Sequence, residues 1–149
     1  MGYNYSDLSD ESDTNVRFGW AAQVLQIMNQ INTYNYLCAI HDSTALRPLY
    51  SHILVLRDML SAKFPKELEK VDKVIKESED SLMTFERRRF MPIQEGARRK
   101  YVREVHNKLR KAYEDIMFQM RVHGILETIR MDVKTMARQS WYGDSRPVN

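Results

Sequence analysis

Glycine, proline and cysteine are all scarce in this chain. Five Gly and four Pro among 149 residues are too few for the frequent turns of an all-β fold. The glycines (Gly2, Gly19, Gly96, Gly124 and Gly143) are scattered singly, so no glycine-rich phosphate-binding loop exists. Cys38 is the single cysteine, which excludes an intramolecular disulfide and a cysteine-rich metal knot. It points to a reduced, intracellular setting. Long apolar runs are missing too. Ile53-Leu54-Val55-Leu56 is closed off by His52 and Arg57, well short of the roughly 18 apolar residues of a membrane span. Residues 1–13 hold Asp7, Asp10, Glu11 and Asp13 with no Lys or Arg, the reverse of a secretory leader. The expectation is a soluble, cytoplasmic protein without a membrane span.

What is present is helical periodicity. Hydrophobic residues make up 43% of the chain, enough for one domain that buries about two-thirds of its unfolded surface. Trp20, Val24, Ile27, Ile31, Tyr34 and Cys38 recur every three or four residues, the seam of a helix packed along another helix. That helix should start near Thr14 or Asn15, either of which can cap it. Its other face holds Gln23, Gln26, Asn29, Gln30 and Asn32, an uncharged surface suited to contact with another chain. His41-Asp42-Ser43-Thr44 ends the first helix and caps the second. Leu46, Leu49, Ile53, Leu56 and Leu60 form the most apolar seam, and Pro48 fits only in the first turn of that helix.

Phe64-Pro65 closes the second helix, because the residue before a proline avoids helical geometry. Leu68, Val71, Ile75, Ser78, Leu82 and Phe85 define a third, with a densely charged opposite face. Arg87-Arg88-Arg89 ends it, where cations suit the negative end of the helix dipole. Phe90-Met91-Pro92-Ile93 is expected to tuck under the bundle. Glu95 to Gln139 reads as one long last helix whose register slips beside His123-Gly124, and Trp141-Tyr142-Gly143 ends it. The fold expectation is therefore all-α: an antiparallel helical bundle of four main helices, with a long C-terminal helix that bends or breaks near Gly124. An acidic flexible segment (1–15), the bundle domain (16–140) and a C-terminal tail (141–149) divide the chain.

Several chemistries are weakly represented. His41, His52, His106 and His123 fall on different segments, and no glutamate has a histidine three residues later. A di-metal carboxylate bundle needs that spacing. His41-Asp42 lacks the flanking histidines of a metal-dependent phosphohydrolase. Glu69-x-x-Asp72 and Glu77-x-x-Asp80 resemble Mg²⁺-binding pairs, which would hold a diphosphate-bridging cation. Both lie on one helix with lysines between them, so a solvated charged face accounts for them better. Cys38 continues an apolar seam and reads as a small hydrophobe. No cofactor and no metal site are expected, and the chain does not read as an enzyme.

Charge carries the strongest signal. Residues 1–86 hold 8 Lys or Arg against 13 Asp or Glu, a balance of −5, and residues 87–149 hold 15 against 7, a balance of +8. Within 87–111 stand Arg87, Arg88, Arg89, Arg98, Arg99, Lys100, Arg103, Lys108, Arg110 and Lys111, opposed only by Glu95 and Glu104. These ten are the candidate site residues. Arginine forks match phosphate oxygens, and each neutralised phosphate releases a counterion. Tyr101 and Tyr113 lie among them and could add stacking to a single strand. The acidic third helix or the acidic N-terminus, within the protein or its oligomer, is the competing partner, and an anionic membrane surface is another. Expected first is a non-enzymatic helical subunit that self-associates, as a dimer, or joins a larger complex through its last helix. A nucleic-acid-binding or nucleoprotein-packaging protein is the alternative, and an Mg-dependent nucleotide hydrolase the remote third.

Overall fold

The structure, a computed structural model, describes the backbone of residues 9–145 and the side chains of residues 19–138. The helices are α1 (Ser9–Ala39), α2 (Leu46–Ser61), the single turn α3 (Pro65–Leu68), α4 (Asp72–Arg88), α5 (Glu95–Val122) and α6 (Ile125–Ser145). Short 3-10 turns at Ser43–Ala45 and Glu69–Val71 link them, and no strand occurs among the described residues. The fold is all-α. Five helices longer than one turn replace the expected four, because the last segment is divided.

Each helix follows from its sequence, with corrections at the ends. α1 begins at Ser9, earlier than the Thr14 or Asn15 cap. Its buried stripe is Ala21, Val24, Met28, Ile31 and Cys38. Trp20, Ile27 and Tyr34 are only half-buried, and Trp20 and Tyr34 lie on the flank turned toward α2. There the Trp20 indole Nε1 donates to the Met59 carbonyl at 3.0 Å, and Tyr34 meets the His52 ring at 4.9 Å. The α2 seam is buried throughout, at Leu46, Leu49, Ile53, Leu56 and Leu60. Pro48 sits in the first turn, and its carbonyl accepts from His52 Nδ1 at 2.7 Å.

Phe64 leaves helical geometry at φ −130°, and Pro65 opens the next turn. The third helix does not run straight from there. α3 tightens into the Glu69–Val71 turn before α4 starts, which lets Leu68 and Val71 reach the core. α4 returns antiparallel to α2, as Arg57–Asp72 at one end and Arg47–Glu86 at the other require. α5 then runs antiparallel to α4, with Phe85 against Tyr101 at 5.4 Å.

The final segment breaks. His123 and Gly124 leave the helix, and Gly124 adopts φ +69°, a left-handed conformation that a residue without Cβ reaches at little cost. α6 then packs on α1 and α5, burying Ile125, Leu126 and Ile129. One undivided rod from Glu95 to Gln139 would overhang the shorter helices and ask for a second copy to cover it. With α1 31 residues long and α6 lying on it, the divided segment is covered within the chain. α6 also passes through Trp141-Tyr142-Gly143 and ends at Ser145. Residues 1–8 and 146–149 of the two expected terminal segments lie outside the described residues.

The expected tucking of residues 90–93 is overturned. Phe90, Met91 and Ile93 are 83%, 54% and 37% exposed. The core beneath them is already closed by Leu82, Phe85 and Val102, so the loop turns outward.

Candidate functional site

Ten basic residues were read from 87–111, and the structure sorts them by position. Arg87 and Arg88 occupy the last turn of α4 and Arg89 caps it, where cations offset the dipole. Arg98, Arg99 and Lys100 lie in the first two turns of α5, close to the positive end of its dipole. Arg99, Arg103 and Arg110 share one flank of α5, the flank of His106, which bonds Asn35 of α1 at 3.0 Å. Lys108 is on the opposite flank. It lines a groove of about 460 Å³ with Glu77, Asp80, Tyr101 and Glu104, between α4 and α5.

The bonds made by these residues are short-range. Arg99 pairs with Glu95 at 3.2 Å and Arg110 with Glu114 at 3.7 Å, each one turn away on the same helix. Arg89 lies over the Phe90 ring at 4.6 Å. Arg98 turns inward and donates through Nη1 to the Arg89 carbonyl at 2.9 Å and through Nη2 to the Met91 carbonyl at 3.4 Å. Its role is therefore to hold the loop, and among the ten it is the least available to a partner. Among the described residues, none of the ten is bonded to an acid of α4. Four of the five acids of α4 are engaged elsewhere, Glu86 by Arg47, Asp72 by Arg57, Glu79 by Tyr50 and Asp80 by Lys76, and the fifth, Glu77, lines the groove that Lys108 also lines.

Neither tyrosine stands ready to stack on a ligand. Tyr101 is half-buried against Phe85, and Tyr113 is buried in the core. Burial raises the Tyr113 hydroxyl pKa. The nucleophile question is also answered by burial. Cys38 is enclosed, and desolvation, helped by Asp42, pushes its thiol up to about 12, leaving almost no thiolate at neutral pH. His106 is buried, and desolvation followed by the nearby Arg110 charge lowers its pKa. It serves as a neutral partner for Asn35.

Glu104 joins Glu77 and Asp80 across the α4–α5 groove, a proximity between elements that linear spacing could not reveal. Lys108 lies among these carboxylates, Lys76 pairs with Asp80 at 3.2 Å, and no group of three or more His, Cys, Asp or Glu among the described residues is arranged to hold a metal ion.

Sequence reasoning missed the end of the bundle as a surface. Two loops meet there. Ser43 and Arg98 line both a cleft of about 430 Å³, shared with Arg47, Glu86, Arg89 and Phe90, and a smaller one of about 200 Å³, shared with His41 and Glu95. His41 holds φ +70°, a left-handed turn that a non-glycine residue adopts uncommonly. Asp42 then accepts from Thr44 N at 3.0 Å to cap the next turn. Ile40, at 55% exposed, stands beside this turn. Phe-Met-Pro-Ile after three arginines was the available signal: an apolar loop between two basic stretches.

Comparison with known proteins finds no match: no protein family, no characterised protein and no solved structure is detectably similar to this chain. No helix among the described residues is long and apolar enough to cross a membrane.

Proposed function

We propose that the protein is a non-enzymatic helical subunit that assembles onto an anionic partner through the end of α4, the following loop and α5. One observation carries this reading. Among the cations of 87–111, Arg99 and Arg110 pair with acids of their own helix and Arg98 holds the loop backbone, while four of the five acids of α4 are engaged by other residues. Two of the cations, Arg99 and Lys100, stand near the N-terminal end of α5, beside the loop. Exposed cations gathered at one end of the bundle suit a ligand that brings the compensating charge.

Nucleic acid remains the second reading, on the strength of the aligned flank Arg99, Arg103 and Arg110. Self-association draws support from a different surface, the exposed Phe118, Val122 and Met131 near the α5–α6 junction. The deciding experiment measures retention on immobilised heparin, a generic polyanion, and light-scattering mass, each at low and high salt. The proposal expects salt-sensitive retention that weakens when Arg99, Arg103 and Arg110 are changed to Gln, with mass unchanged. Absence of polyanion binding at low salt defeats it.

A further inference from the structure

We infer that the anionic partner is a lipid surface, and that the two loops at the basic end of the bundle dip into its headgroup region. This rests on the reading of that end as an anionic-partner interface and names the partner's class. Ile40, Phe90, Met91 and Ile93 are exposed in two loops that meet at one cleft, which Ser43 and Thr44 of the first and Arg89 and Phe90 of the second line. The loop that carries most of them is held by Arg98, whose two donors fix the carbonyls of Arg89 and Met91. Its backbone is thus tied down while its apolar side chains face solvent. Around it stand Arg87, Arg88, Arg89, Arg99 and Lys100, with Glu95 committed to Arg99.

That combination selects among polyanions. A nucleic-acid strand would use the guanidinium groups and an aromatic face, yet it would leave Ile40, Met91 and Ile93 in water. One face of Phe90 is also taken by Arg89 at 4.6 Å. A second copy joined end to end would press like charges together. An anionic bilayer satisfies both chemistries at one depth: phosphate and carboxylate headgroups meet the cations, and the acyl boundary takes the aliphatic and aromatic side chains. The charges give attraction, and the loops give a depth of insertion.

The test is sedimentation of the full chain with vesicles of phosphatidylcholine alone or mixed with phosphatidylserine. Binding to the mixed vesicles and not to the neutral ones is expected. Each of Arg87→Gln, Arg88→Gln and Arg89→Gln should weaken it about fivefold. The double change Phe90→Ser with Met91→Ser should weaken it by about tenfold or more while circular dichroism stays unchanged, since both side chains are exposed. A Phe90→Trp reporter should shift its emission to the blue on the mixed vesicles. The inference is overturned if mixed vesicles are not bound, or if the double serine variant binds them as well as the parent. Heparin retention without vesicle binding would overturn the lipid partner alone and leave the proposed function standing. Loss of both would remove the two together.

Discussion

Arginine does opposite work on the two sides of α4. Toward α2, Arg47 and Arg57 reach across to another helix. Arg47 Nε donates to Glu86 at 2.9 Å, and Arg57 donates through Nε and Nη2 to Asp72 at 3.1 and 2.5 Å. The Glu86 pKa is lowered chiefly by its hydrogen bond from Arg47. Toward α5 and the loop, the arginines pair with their own turn, hold the loop backbone, or present themselves to solvent. The same residue type clamps two helices in one place and forms a docking surface in the other. What separates the two is whether an acid from a different element stands within reach, not the local density of charge.

The comparison can be broken in several ways. The largest effect is in the apolar layer under the clamp: Leu56→Ala, fully buried on α2, should cost about 2–5 kcal/mol in urea denaturation. Phe90→Ser, its exposed counterpart, should stay within about 0.5 kcal/mol. Equal losses would mean that the loop belongs to the core. Next in size is binding. The triple change Arg99→Gln, Arg103→Gln and Arg110→Gln should reduce polyanion retention and lower the slope of log affinity against log salt by about 0.7–0.9 per lost contact. Arg57→Gln should leave that slope where it was.

A smaller effect belongs to the clamp itself. Arg57→Gln should cost only about 0.5–1 kcal/mol, because both partners are partly solvated. Lys100→Gln and Lys111→Gln should cost nothing measurable by the same denaturation. The smallest effects are in pH. Glu86 has its folded pKa below its ordinary value of 4.5, so the stability contributed by its Arg47 pair is complete above that value and is lost as pH falls through the folded pKa. Arg47→Gln should flatten this acid limb. His106 is likewise shifted down from 6.5. Its neutral, buried form contributes fully above 6.5, and the contribution disappears as pH drops through the lower folded value. His106→Gln, which keeps a donor toward Asn35, should remove that limb and spare the one from Glu86.

Much of the fold was legible because periodicity records which residues share a face. The α2 seam and the stripe from Leu68 to Phe85 were read residue by residue. α1 was read one flank off. Trp20, Ile27 and Tyr34 are large and apolar, but the deepest positions went to Ala21 and Met28, where α1 has more than one neighbour to fit. Asn35 sits where a hydrophobe would continue that stripe, and its reason is His106, 71 residues away. The charge cluster was visible as composition. The shared flank of Arg99, Arg103 and Arg110, with Lys108 on the other side, follows from helical spacing. That Arg98 holds the loop and that the Lys108 side faces α4 does not, since rotation of a helix about its axis leaves the spacing unchanged.

The sequence by itself determined an all-helical chain, the apolar seams, the acid-to-base asymmetry and the weak point at Gly124. These depend on local propensity and on residues a few positions apart, which the linear order contains. Only the tertiary structure decided that Phe90, Met91 and Ile93 face water, that α6 covers α1, and that Glu86 and Asp72 of α4 are claimed by arginines of α2. Those outcomes depend on competition between elements far apart in the chain. A carboxylate engaged by one arginine has less left for another, and a core filled by its own helices has no room for a loop.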